Sequence, residues 1–131
     1  MEKMTCNNLD INEISAKLSS FMYLERKQRK IASLDNNFYS SISEAFRYIK
    51  SEKERALNEG NMDEYMKIVS IEGHLNSDFS SFMKIRLSKI LQYSVYDDYN
   101  AFNLAGPEKE WMEQARKIYM DALKNIEDDS Q

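Results

Sequence analysis

The sequence contains little Gly and Pro, the residues that most often end helices and form tight turns: three Gly and one Pro in 131 residues. This scarcity argues against β-sandwiches, β-barrels and folds built on Gly-rich nucleotide-binding loops. The single Cys excludes an internal disulfide and a zinc site made of cysteines. No apolar run approaches the roughly 18 residues of a membrane span, and the N-terminus lacks a secretory apolar segment. We therefore expect a soluble, cytoplasmic, helical protein.

Residues that carry out chemistry are equally scarce. His74 is the only histidine, and its nearest carboxylate, Glu72, lies two positions away on a different helical face. Di-iron bundles instead place Glu-x-x-His pairs on more than one helix. Cys6 has no neighbouring base that would activate it, and no phosphate-binding loop or nucleophile motif occurs. We expect no enzymatic activity, no cofactor and no bound metal.

The charge balance argues against independent binding to nucleic acid. The chain carries a net charge of −4, whereas proteins that bind phosphate backbones usually carry a basic surplus. One basic cluster lies at the end of the first predicted helix, at Arg26, Lys27, Arg29 and Lys30. It is either a solvated surface that suits the C-terminal end of a helix dipole or a contact to DNA or an acidic partner. We expect any DNA contact to be indirect or weak.

Apolar residues recur at spacings of three and four along nearly the whole chain, the pattern of amphipathic helices. It predicts an all-α, elongated bundle of four helices, at about residues 10–32, 37–58, 62–99 and 107–127. An acidic tail or linker, 128–131, follows this single domain. Gly60 and Pro107 mark helix boundaries. Gly73 indicates a close helix crossing or a break, and the unchanged apolar register on both sides favours one continuous third helix.

The third helix is predicted to carry more apolar surface than one copy covers. If continuous over about 34 residues, it extends about 50 Å, beyond the roughly 36 Å diameter of a globule of this chain length. Either the bundle is elongated, or another chain covers the projecting part. Tyr93, Tyr96, Tyr99 and Phe102 recur every three residues, so their rings wrap around the helix instead of lining one face. They pack either on the last helix or on another subunit, because tyrosine suits both places.

Two charged residues fall on the apolar stripe of the third helix. Glu72 and Arg86 would each be costly to bury alone. Either both lie at the margin of the stripe or pair within the chain, or Arg86 meets a carboxylate across a subunit interface.

Four short motifs follow one another along these helices. Leu24–Lys30 ends the first helix, and Leu34–Tyr39 resembles a leucine–proline–acidic–phenylalanine–tyrosine pattern at the start of the second. Phe82–Leu91 closes the third helix with an arginine–x–x–lysine–isoleucine pattern, and Asn103–Glu110 resembles leucine–threonine–proline–glutamate. In this order, over about residues 9–127, the chain resembles the helical A domain of a GINS subunit, of the archaeal type in which the A domain comes first.

The chain departs from the family's pattern in two places. The turn before Phe38 lacks the usual proline, and the sequence stops before the small β-rich B domain that follows in such subunits. Either the chain is an isolated A domain, or the protein is a shortened relative.

The resemblance implies a scaffold without an active site. GINS A domains pack into a tetramer, and the complex bridges the MCM helicase and a RecJ-like protein during DNA replication. The chain would bind other GINS subunits or itself, as a dimer or tetramer, near the nucleoid. The expected subunit interface comprises Phe38, Tyr39, Arg86, Lys89, Ile90, Tyr93, Tyr96 and Trp111. A stand-alone helical adaptor or regulator outside replication is the alternative.

Overall fold

A computed structural model of the chain describes residues 5–6, 9–96 and 103–129. Four helices account for most of them: α1 (Ile11–Lys27), α2 (Phe38–Asn58), α3 (Met62–Tyr93) and α4 (Glu108–Asp129). Two two-residue strands, β1 (Thr5–Cys6) and β2 (Leu9–Asp10), pair antiparallel before α1. The predicted all-α bundle with a long third helix is confirmed. The short strand pair was not predicted.

The first helix is shorter than predicted, ending at Lys27 instead of near residue 32. The chain then folds back so that Ile31 and Ala32 are buried. The backbone N–H of Ala32 donates to the Glu25 carboxylate at 3.1 Å, a tertiary contact that replaces the helical hydrogen bond. A local apolar pattern cannot distinguish these two ways of burying the same side chains.

The third helix runs without a break through Gly73, as the apolar register indicated, and is about 48 Å long. It ends at Tyr93, and the predicted extension over 97–99 lies outside the described residues, as do Tyr99 and Phe102. Helices α1 and α2 pack along its first two thirds around Leu18, Ile49 and Phe82. A smaller cluster of Ile31, Ile90 and Met112 joins the last third to α4.

Two glycines on these helices are expected to respond oppositely to substitution by Ala. Gly60 ends α2 with φ +70° in a Schellman motif, in which its N–H binds the Leu57 carbonyl and the Asn61 N–H binds that of Ala56. Gly73 lies within α3, and a Cβ there would meet open space. We expect Gly60→Ala to lower the free energy of unfolding by about 1–2 kcal/mol, and Gly73→Ala to raise it by up to about 1 kcal/mol.

Urea unfolding of both variants measures the two changes. A lower free energy of unfolding in Gly73→Ala would contradict the open surroundings of this position. A free energy of unfolding in Gly60→Ala equal to that of wild type would contradict the left-handed turn at Gly60.

Candidate functional site

Arg86 occupies the centre of a buried ion cluster where α1, α3 and α4 meet. Its guanidinium binds Glu108 through both ends of its fork, with Nε to Oε2 at 2.7 Å and Nη2 to Oε1 at 2.8 Å. It also donates to Glu25 Oε1 and to the backbone carbonyls of Ala32 and Asn103. The side chains of Arg86, Glu25 and Glu108 are all 0% exposed. The charge of Arg86, which lies on the apolar stripe of α3, is therefore paired within its own chain.

Lys89 and Tyr39 complete the cluster at its edges. Lys89 Nζ lies 2.6 Å from Glu25 Oε2 and also binds the Glu25 and Lys30 carbonyls, and the Tyr39 hydroxyl donates to Glu108. Glu108 Oε1 additionally accepts the Ala105 N–H at 2.7 Å, before α4 begins. Two cations and two carboxylates balance, and among the described residues no buried side-chain polar atom lacks a partner. Such a closed network fixes how the four helices meet.

The cluster shifts the pKa values of two of its members. Burial of the Tyr39 phenol, and next its hydrogen bond to Glu108, raise the pKa of Tyr39 far above its ordinary value. Burial opposes the charge on Arg86, but the hydrogen bonds and charges of Glu108 and Glu25 outweigh it and raise the pKa of Arg86. Both residues therefore keep their protons in the folded protein.

Because the pKa of Tyr39 is raised, we expect wild type to lose part of its free energy of unfolding at alkaline pH, and we expect Tyr39→Phe not to show this part of the loss. Because the unfolded phenol ionises near pH 10 and the folded one does not, this contribution is complete below pH 10. Above pH 10, ionisation of this single phenol stabilises the unfolded state relative to the folded state by about 1.4 kcal/mol per pH unit. Urea unfolding of both proteins at pH 9 and pH 11 measures the difference. A stability gap between wild type and Tyr39→Phe that stays constant would contradict the assignment.

Three of the expected interface residues belong to the core of this chain instead. Phe38, Arg86 and Ile90 are at most 6% exposed. Their side chains are covered within this chain, and their role at a subunit interface stays a prediction. Sequence periodicity placed them on apolar faces but could not show that α1 and α4 cover those faces.

The other expected interface residues lie near the same end of the bundle. Tyr93 donates to the Arg29 carbonyl at 3.1 Å, and its ring lies 5.6 Å from that of Tyr96, which is exposed. Trp111 packs edge-on against Tyr39 at 5.4 Å. Their role at a subunit interface stays a prediction, as does that of Tyr39 and Lys89.

The basic cluster is exposed along its whole length. Arg26 and Lys27 occupy the last turn of α1, and Arg29 and Lys30 follow it. The Lys27 ammonium lies 5.3 Å from the centre of the Tyr23 ring. Glu72, the other charged residue on the apolar stripe of the third helix, binds Lys53 of α2 at 2.8 Å. Glu72 is thus paired within the chain, and the basic cluster is free to meet solvent or an acidic surface.

An apolar groove of about 400 Å³ separates α3 from α4. We call it the α3–α4 groove; it is lined by Met83, Leu87, Leu91, Trp111, Gln114, Ala115 and Ile118. Every residue of α4 from 117 to 129 is exposed. The apolar face of this second half, here the α4 stripe, comprises Ile118, Tyr119, Ala122, Leu123 and Ile126. The helical pattern predicted this face but not its exposure.

Other chemistry has little support among the described residues. No group of three or more His, Cys, Asp or Glu side chains there could hold a metal ion, and His74 is exposed. No helix in the described part of the chain is long and apolar enough to cross a membrane. Comparison with family models, curated proteins and solved structures finds no match to this chain.

Proposed function

We propose that this chain is a non-enzymatic scaffold subunit of a GINS-like complex in DNA replication. In this proposal four A domains assemble as a tetramer that bridges the MCM helicase and a RecJ-like protein. A rigid helical scaffold would contribute binding energy that favours the working conformation of the motor.

The observation that carries this proposal is the convergence of the four motifs in one buried cluster. Glu25 comes from the first motif, Tyr39 from the second, Arg86 and Lys89 from the third, and Glu108 from the fourth. Residues chosen for their resemblance to a family pattern, and up to 69 positions apart in the chain, thus bond to one another. This convergence supports treating the motifs as a single structural unit of the kind that the resemblance implies.

The surface of the bundle also favours a role in assembly. The α4 stripe and the α3–α4 groove expose contiguous apolar side chains at one end, and such patches mark interaction sites more often than inert surface. The buried cluster, in contrast, is fully paired and is a structural element of the scaffold.

The proposal is tested with purified archaeal MCM and a purified RecJ-like protein. We expect immobilised chain to retain both, and light scattering of the free chain to give about 62 kDa, four times 15.5 kDa. Glu44→Lys, an exposed reversal on α2, is the control for nonspecific charge effects and should bind equally well. Retention of neither protein would contradict the replication role and leave the stand-alone adaptor as the better explanation.

A further inference from the structure

The basic cluster lies in a stretch of the chain with a local surplus of positive charge. Residues 14–34 contain five lysines and arginines and a single carboxylate, Glu25. Glu25 is buried, and its charge is matched by Arg86 and Lys89. Among the described residues, no carboxylate forms a salt bridge with any member of the cluster. The four exposed cations therefore form a positive surface, although the chain as a whole is acidic.

The C-terminal end of α1 already has a cation from inside the bundle. Lys89 Nζ, from α3, binds the carbonyls of Glu25 and Lys30 at 2.5 and 3.1 Å. The Tyr93 hydroxyl donates to the carbonyl of Arg29 at 3.1 Å. Carbonyl oxygens that would otherwise attract the basic side chains, or repel an anion, are thus bonded to α3. The side chains of the cluster extend into solvent from a backbone that α3 holds in place.

Two exposed tyrosine rings lie beside the cluster. Tyr23 is 60% exposed, and the Lys27 ammonium lies 5.3 Å from the centre of its ring. Tyr96 is 46% exposed, and its ring lies 5.6 Å from that of Tyr93, the residue that binds Arg29. An acidic peptide would need only the cations, whereas single-stranded nucleic acid stacks its bases on aromatic rings while its phosphates contact the cations. Exposed rings next to unpaired cations therefore favour a nucleic-acid strand.

We propose that the basic cluster and Tyr23 form a weak binding surface for single-stranded nucleic acid. The phosphates contact the four cations, a base stacks on Tyr23, and Tyr96 offers a second ring. Four phosphate contacts provide only weak, sequence-independent affinity, in keeping with an acidic chain. The inference is independent of the proposed function, because binding of an oligonucleotide requires neither MCM nor the RecJ-like protein.

The first test is the salt dependence of binding, measured by the fluorescence anisotropy of a labelled thymidine 20-mer with the full chain. With four phosphate contacts, the dissociation constant should rise about 50-fold between 25 and 100 mM salt, and in Lys27→Gln/Lys30→Gln, with two contacts, only about 7-fold. Lys50→Gln/Lys67→Gln removes two lysines from α2 and α3 and is the matched control, which should keep the wild-type rise. All four lysines are exposed, so both variants should keep the unfolding midpoint of wild type.

The second test is the contribution of the Tyr23 ring. Tyr23→Leu keeps an apolar side chain without an aromatic ring, so the dissociation constant should rise about fivefold or more with an unchanged salt dependence. Tyr119→Leu, at an exposed tyrosine of α4, is the matched control and should bind like wild type. Binding to a duplex of the same length should not change in Tyr23→Leu, because the bases of a duplex are stacked on one another.

A uridine 20-mer is titrated in parallel, and the tighter of the two ligands identifies the strand as DNA or RNA. Absence of binding to both at 100 μM chain and 25 mM salt overturns the proposal, as does a wild-type salt dependence in Lys27→Gln/Lys30→Gln. Unchanged binding in Tyr23→Leu, together with displacement of the oligonucleotide by an equal concentration of a glutamate 20-mer, would assign the surface to an acidic protein and overturn it equally.

Discussion

Replacing Arg86 by Met is expected to lower the free energy of unfolding by about 3–5 kcal/mol, because it leaves two buried carboxylates without their main partner. Glu25 retains Lys89, but Glu108 retains only neutral donors, the Tyr39 hydroxyl and the Ala105 N–H. Since domains of this size are usually stable by only about 5–15 kcal/mol, the variant is expected to populate unfolded chains measurably at 37 °C. Urea unfolding at neutral pH measures the loss.

Lys84→Met provides the matched control for this prediction. Lys84 lies on the same helix, two residues earlier, and is exposed, so its replacement should change stability by no more than about 0.5 kcal/mol. Equal effects of the two substitutions would mean that the cluster contributes nothing specific.

The double variant Arg86→Met/Glu108→Leu should lose clearly less stability than the sum of the losses in its two single variants, because it removes both members of one ion pair.

Replacing Glu108 by Ala is the second change with a large expected effect, again about 3 kcal/mol or more. It removes the bidentate partner of Arg86, the acceptor of the Tyr39 hydroxyl and the acceptor of the Ala105 N–H in a single step. Because Glu108 and Met112 alone anchor α4 through buried side chains, the loss should be greatest in that helix. We therefore expect amide hydrogen exchange to quicken in α4 more than in α2.

Glu110→Ala is the control in the same helical turn. Its carboxylate is exposed, so the variant should retain both the stability and the exchange pattern of wild type to within about 0.5 kcal/mol. Exchange that quickens evenly over all four helices in Glu108→Ala would show that α4 has no separate dependence on this residue.

Sequence periodicity alone determined the all-α class of this fold and the approximate length of its helices. The recurrence of apolar residues every three or four positions specifies helices, and the unchanged register across Gly73 specified one continuous α3. Helix ends were predicted well where the signal is local, as at Gly60 and Pro107. They were predicted poorly at Lys27, where the end depends on the tertiary bond from Ala32 to Glu25.

The sequence also showed that Arg86 needs a partner, because a charge on an apolar stripe is costly to bury alone. It could not say which partner, since Glu25 and Glu108 lie 61 and 22 positions away and only the path of the chain brings them together. In the same way, the apolar pattern of α4 is uniform along its length. Only the tertiary structure decides which half is covered, because α3 ends beside Arg116 and, within the described part of the chain, no other helix continues alongside the exposed residues that follow it.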